Sequence, residues 1–301
     1  MTPHISEHER PDDAMLANPR SDRVRRISAL SGRSLRRRTG LFRVEGPQAV
    51  RSLVRYRSDL LCELYATPEA ARRHPDILDR CTGKVLTVTD EVLAAMVSAR
   101  TRDDDTGPAQ TMVTPQGIVA VARTEHTALA DLQPILTAGA TARTSLTIAV
   151  MHEVRDPGNA GTVIRAADAA GAQAVILTRA SVDVFSPKVV RSTAGSLFHL
   201  PVITGADLGE TLNVLRTAQV QTLATSGRAE HDLFTANLSA RRAWIFGNEA
   251  HGLDADALAN ADMRVRIPLK GRAESLNLAM AATLCLFSGT GSSTHPEHAP
   301  G

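Results

Sequence analysis

At 301 residues, 43% of them apolar, with a net charge of +2, the chain is long enough for one large or two ordinary domains with an ample core. No stretch approaches the roughly 18 uninterrupted apolar residues of a membrane span, and the opening "MTPHISEHERPDDAML" has no apolar signal core, which argues against membrane insertion and secretion. Aromatics are only 3% of the chain, so the core has to be built from Ala, Val, Leu and Ile.

Residues 1–19 read as a disordered tail. The stretch "SDRVRRISALSGRSLRRRTGLFRVEGPQAVRSLVRY" then predicts a helix, a loop, a short strand and a helix opened by Pro47. Between Arg20 and Arg57 stand twelve Arg, no Lys and only Asp22 and Glu45 as acids, a local balance of +10 that leaves −8 on the rest of the chain. Such an asymmetry points to a polyanion partner, and arginine is the residue type that grips phosphate in a bidentate manner. Arg23, Arg25, Arg26, Arg36, Arg37, Arg38 and Arg43 are the candidate nucleic-acid phosphate contacts; a solvated basic helix is the plainer alternative. Only Phe42 and Tyr56 interleave, which favours backbone and shape contacts over stacking of a bare single strand.

"LCELYAT", "KVLTVT" and "GIVAVAR" predict strands, with "DEVLAAMVSA" a helix between them and the 98–112 loop at the surface. Residues 20–123 thus form a small α/β domain, and residues 124–144, rich in Ala and Thr, a linker with at most a helical turn. From 145 to 288 strands near 145–152, 173–178, 200–204, 220–225, 242–247 and 263–269 alternate with helices near 160–170, 187–197, 207–217, 254–260 and 275–287. That alternation implies a parallel sheet covered on both faces. Residues 289–301 read as a second disordered tail.

Ligands of open α/β sheets bind beyond the carboxyl ends of the strands. Four loops rich in Gly and small polar residues fall there: "HEVRDPGNAG", "SGRAEHD", "GNEAHGL" and "KGRAESLN". Gly158 and Gly161 are spaced GxxG rather than GxGxxG, so a dinucleotide site is not supported, and there is no Walker-type GxxxxGK[ST] and no GxSxG elbow. The ten histidines and three isolated cysteines show no metal-ligand or disulfide spacing, so no metal is expected and a reducing cytoplasm fits best.

"NAGTVIRAADAAG", "WIFGNEAHGL" and "IPLKGRAESLNLAMAATLCLF" resemble the three ordered motifs of the SpoU/TrmH RNA 2′-O-ribose methyltransferases of the SPOUT superfamily, with "SPKVVRSTAGSLFHLPV" between the first two. The resemblance is close over 145–288 and looser over 20–123, where "FRVEGPQAV" and "TPQGIVAVAR" are similar to the substrate-binding domain often fused in front. It implies an α/β fold with a deep trefoil knot, S-adenosylmethionine bound by the knot loops, and a homodimer with its active site at the subunit interface. It further implies a methyl transfer to a ribose 2′-hydroxyl in ribosomal or transfer RNA. The rival readings are base methylation, which other SPOUT branches perform, and a non-catalytic RNA-binding factor. The 98–112 loop is longer than the family pattern needs.

Carried over by the resemblance, Thr225, Gly227, Gly247, Ile267, Leu269 and Leu276 hold the cofactor, and Arg165 is the arginine that activates the ribose hydroxyl. A guanidinium loses its proton only above about 12, so gripping phosphate and sugar is chemically easier for Arg165 than acting as a base; an exposed Arg paired with Asp168 or Asp156 is its plainer reading. Asn159 positions its neighbours and stands where an N-cap would; Glu249 orients Arg165, across the dimer interface if not within the chain. Ser275 reads as the N-cap of the last helix, Asn277 faces the catalytic pocket, and Arg191 is a further RNA phosphate contact.

Overall fold

The computed structural model describes residues 15–98, 116–138 and 145–288. Two compact units emerge, one comprising Met1–Glu125 with Phe185–Arg191, the other His126–Val184 with Ser192–Gly301.

The first unit contains α1 (Asp22–Ser28), α2 (Arg33–Thr39), β1 (Leu41–Glu45), α3 (Pro47–Tyr56), β2 (Leu61–Ala66), α4 (Pro68–Arg73), α5 (Pro75–Asp79), β3 (Lys84–Thr87), α6 (Asp90–Val97) and β4 (Ile118–Arg123). Helix starts follow local chemistry. Ser21, Thr67 and Thr89 cap α1, α4 and α6 through their side chains, and proline stands in the first turn of α3, α4 and α5. Gly40 ends α2 in the left-handed conformation (φ +65°) that glycine adopts without penalty. The sheet runs β1-β4-β2-β3, with β4 antiparallel to β1 and β2, and β3 parallel to β2. Its core joins Val24, Ile27 and Leu30 to Leu93 and Met96 of α6 and to Val119 and Val121 of β4. Leu16, expected in the tail, pairs its backbone with the end of β3 and the residues that follow, through Leu16 N to Thr87 O at 2.9 Å and Thr89 N to Leu16 O at 3.1 Å. Residues 1–14 and 289–301 of the expected tails, and all of the 98–112 loop but Ser98, lie outside the described residues.

The second unit continues with α7 (Gln133–Ala138), β5 (Leu146–Met151), α8 (Pro157–Ala169), β6 (Ala174–Thr178), α9 (Pro187–Ser192), β7 (Val202–Ala206), α10 (Leu208–Thr217), β8 (Gln221–Thr225), β9 (His231–Asp232), β10 (Arg241–Phe246), α11 (Ala255–Asn260), β11 (Met263–Arg266) and α12 (Leu278–Phe287). Most of α9, up to Arg191, clusters with the first unit. The seven strands run β7-β6-β5-β10-β8-β11-β9, every pairing parallel. The central strands β5 and β6 are buried along their whole length, which is why they read as unbroken apolar runs. The 124–144 segment is more than a linker: Leu132 and Leu136 sit in one core with Ile148, Ile176 and Ile245, where burial of two leucines contributes on the order of 4 kcal/mol.

Since β5, β10, β8 and β11 are successive neighbours, the loops that follow them leave the same carboxyl edge side by side. No helix of the described residues is long and apolar enough to cross a membrane.

Candidate active site

The first of these loops leads from β5 into α8. Asp156 is the N-cap, its Oδ1 accepting the Asn159 N–H at 2.7 Å, and Pro157 occupies the first turn. Asn159 is therefore not the cap that its position suggested; it is the third residue of the helix, with its side chain left for other partners. Asp-Pro at a helix start was the sequence signal for this. The turn is held from β10's loop. Glu249 accepts the backbone N–H of Asp156 at 3.0 Å and of Arg155 at 3.2 Å, and the Asn159 Nδ2 at 3.4 Å. A carboxylate on the exposed N–H groups of a helix start satisfies donors that the helix cannot satisfy itself. Beside it the buried Asn248 donates through Nδ2 to Glu153 O at 2.9 Å and accepts the Ala250 N–H at Oδ1, also at 2.9 Å. Glu153 sits at φ +53°, a sparsely populated conformation for a non-glycine residue, and Asn248 holds that turn in place. The sequence reading missed Asn248, and gave Asp156 only as a partner for Arg165 and not as the cap.

The last loop joins the same cluster. Asn277 Nδ2 donates to Asn159 Oδ1 at 3.0 Å, while its own Oδ1 accepts the Ala279 N–H at 2.9 Å. Asn277, and not Ser275, is the N-cap of α12; Ser275 is exposed two residues earlier. Glu249 on the loop after β10, Asn159 in the first turn of α8 and Asn277 at the cap of α12 thus form a continuous hydrogen-bonded chain.

Arg165 stands apart from it. It is exposed on α8 and makes no hydrogen bond or ion pair with the described residues. Six residues beyond Asn159 it lies about 9 Å further along the helix and on a different face. Glu249 does not orient it within the chain, because that carboxylate is occupied by the start of α8. Its plainer partner Asp168 lies 2.7 Å from His199 Nδ1 instead.

Gly247 is fixed by its own loop. A Cβ there would lie 2.2 Å from Gly252 C and 2.4 Å from Leu253 N, where the loop closes through Asn248 N to Gly252 O (3.0 Å) and Gly252 N to Asn248 O (2.8 Å). Thr225 Oγ1 donates to Ile245 O at 2.9 Å, tying the ends of β8 and β10 together. Gly227 is exposed, Ile267 is half-buried, and Leu269 and Leu276 leave 39% and 36% of their surface in solvent. Further along the edge, His152 places Nδ1 3.1 Å from Thr178 Oγ1 and Nε2 3.5 Å from Asp254 Oδ2. Asp254 caps α11, and the Ala257 N–H, aided by His152, holds its carboxyl below the usual carboxylate range. Among the described residues no group of three or more His, Cys, Asp or Glu is arranged to hold a metal ion.

The basic segment of the first unit divides in two. Arg25, Arg26, Arg37 and Arg38 are exposed and Arg23 is half-exposed, whereas Arg36 and Arg43 are buried. Arg36 donates to the carbonyls of Leu30 and Ser31 at 2.8 and 2.6 Å. Arg43 points inward from β1 and bonds Glu45 at 2.7 Å and the Met96 and Val97 carbonyls that end α6; burial lowers its pKa. Neither side chain faces solvent, so both are corrected from phosphate contacts to structural residues. Arg191 reaches the other oxygen of Glu45 at 3.3 Å, with its side chain one-third exposed.

The SpoU rRNA Methylase family matches residues 146–287. The chain is 36% identical over 174 residues to the 23S rRNA (guanosine(2553)-2'-O)-methyltransferase RlmP of Bacillus subtilis, a match covering 58% of this chain and 64% of that protein. Other curated relatives are matched over about half of their length. A crystal structure of an AdoMet-bound rRNA methyltransferase from Sinorhizobium meliloti is similar over 91% of this chain and 96% of its own, at 30% identity and a TM-score of 0.73. The SpoU methyltransferase AviRb from Streptomyces viridochromogenes, in complex with AdoMet, is similar over 89% and 97%, at 26% identity and a TM-score of 0.72. With three loops joined at one sheet edge and these likenesses over both units, the chain belongs to the SpoU methylase family.

Proposed function

We propose that the protein methylates a ribose 2′-hydroxyl of structured RNA, with S-adenosylmethionine as donor. The observation that carries this reading is the Asn159–Glu249–Asn277 chain, which unites the three family motifs at the carboxyl edge of the sheet. RlmP of Bacillus subtilis and a further curated relative from Streptomyces viridochromogenes are named for 23S rRNA, which favours ribosomal over transfer RNA as the substrate class.

The residues present suit the donor. Ile267, Leu269 and Leu276 offer partly open apolar surface on the loop after β11, beside the glycine-bearing loops of β8 and β10, and an adenine needs a thin apolar slot edged by backbone donors and acceptors. When bound, S-adenosylmethionine supplies an electrophilic sulfonium methyl group. Asn159, with its amide held between Glu249 and Asn277, is a fixed polar anchor at the mouth of that slot. Arg165 holds the target phosphate and sugar, and the gain in rate comes chiefly from alignment. The exposed arginines of α1 and α2 grip the RNA backbone.

The same reading includes a homodimer. α12 is apolar all round: Ala279, Ala282, Cys285 and Leu286 are buried, while Met280, Leu284 and Phe287 form an outer stripe with 65%, 42% and 48% exposure. A helix of that kind is completed by burial. A groove of about 690 Å³ beside it is lined by Phe234, Leu238, Leu284 and Phe287. The same reading includes the trefoil knot, which the insertion of β10 between β5 and β8 accommodates, and a cytoplasmic setting, in keeping with three free cysteines.

Nucleoside mass spectrometry of RNA incubated with the protein and labelled donor tests the activity. The label is expected on ribose and is expected to vanish with Arg165→Ala; label on a base would overturn the 2′-O assignment. Light scattering of Leu284→Glu tests the dimer, which is expected to dissociate.

A further inference from the structure

Tyr56 is the one aromatic side chain of the first unit that is exposed among the described residues, with 53% of its surface in solvent. Phe42, the other aromatic of the basic segment, is fully buried and packs on Phe185 with ring centroids 4.8 Å apart. Tyr56 is the last residue of α3, and the guanidinium of the exposed Arg55 stands 5.4 Å from its ring centroid. The turn that follows Tyr56 is tied down by side-chain bonds. Arg57, the next residue, forms paired bonds to Asp59 at 3.1 and 3.0 Å and to Glu125 at 2.5 and 2.8 Å. Arg123 donates to the Asp59 carbonyl, and Thr82 Oγ1 to the Ser58 carbonyl at 3.3 Å. The turn that carries Tyr56 is thus pinned to the end of β4 and to the residues before β3.

We propose that Tyr56, backed by Arg55, is a stacking platform for an unpaired nucleobase of the RNA substrate. This rests on the reading of the chain as an RNA-binding protein. An aromatic ring held in place stacks on a base at little cost in side-chain entropy, and a guanidinium beside it adds cation–π attraction and a phosphate contact. Duplex RNA hides its base faces, so a single such platform selects a loop, bulge or end, while the exposed arginines of α1 and α2 contact the backbone of either form. The segment then combines sequence-blind charge with one point of discrimination between paired and unpaired RNA.

The test uses the full chain and two RNAs: a stem–loop with 2-aminopurine in its unpaired loop, and the same stem as a blunt duplex. Wild type is expected to bind the stem–loop more tightly and to quench the 2-aminopurine. Tyr56→Ala is expected to weaken stem–loop binding about tenfold and to abolish the quench, leaving duplex binding and thermal stability unchanged; Tyr56→Phe retains both the affinity and the quench. Equal affinity of Tyr56→Ala and wild type for the stem–loop, or an equal loss on both RNAs, overturns the platform while leaving the RNA reading intact. Failure of the wild type to bind either RNA overturns the RNA reading, and the platform with it.

Discussion

Asn277 Nδ2 donates to Asn159 Oδ1 across 3.0 Å, a bond between residues 118 positions apart that ties the start of α12 to the first turn of α8. Both amides have second partners, Glu249 for one and Ala279 for the other, so neither side chain can turn without breaking two bonds. The bond is solvent-exposed, and its net worth is accordingly on the order of 1 kcal/mol.

Its energetic reality is open to a double-mutant cycle. Asn159→Ala and Asn277→Ala are expected to be non-additive in denaturant unfolding, with a coupling of about 0.5–1 kcal/mol. Strict additivity would mean that the two amides are neighbours and nothing more. Each single variant is expected to lower methyl transfer at least tenfold.

Gly247→Ala should be far more damaging than its size suggests. The added methyl would fall inside the backbone of Gly252 and Leu253, and backbone cannot move aside as a flexible side chain does. Affinity for S-adenosylmethionine, measured by titration calorimetry, is expected to fall more than tenfold with the overall fold retained. Unchanged affinity would place the cofactor away from this loop.

Two arginines of the same basic segment should behave in opposite ways. Arg43→Met leaves Glu45 buried with only the partly exposed Arg191 as a partner, and is expected to cost about 3–5 kcal/mol of stability. Arg37→Met, on an exposed side chain, should change stability by less than about 0.5 kcal/mol. It should instead reduce the salt dependence of RNA binding by about one phosphate contact.

Asp254 gives a prediction with a definite sign in pH. Its carboxyl is held below the usual range in the folded chain, so it stabilises above the unfolded value near 4 and ceases to do so as pH falls through the folded value. Asp254→Ala is expected to lose about 1 kcal/mol at pH 7 with the loss of its cap. The gap to wild type should close in acid, below about pH 4. A gap that is constant down to pH 2 would show that charge has no part in it.

Much of this arrangement was legible in the sequence because the strands of a doubly covered parallel sheet have to be apolar throughout. "LTIAVM" and "AVILT" declare themselves, and the loops after them follow from simple alternation. The helix caps were less legible. Ser275 and Asn159 both have the right chemistry for a cap, but the choice between them and Asn277 or Asp156 is settled by bonds to residues remote in sequence. The charge count of the basic segment concealed the burial of Arg36 and Arg43, since counting gives every arginine the same exposure. A signal did exist for Arg43: in "LFRVE" the opposite charges of Arg43 and Glu45 are two apart, and thus on one face of a strand. The position of Arg165 had no such signal: its spacing from Asp168 suits an ion pair along the helix, and that carboxylate is taken by His199, a residue remote in sequence.

The grouping of Phe185–Arg191 with the first unit has a consequence for how the gene can be divided. Phe185 packs on Phe42 and Arg191 closes on Glu45, so a piece of the first unit is encoded between two strands of the second. A fragment ending at Glu125 would lose both contacts and expose the edge that they cover. Domain exchange between members of the family, if made at a single junction near that residue, would therefore transplant an incomplete module; a working chimera has to carry two separated stretches of sequence together.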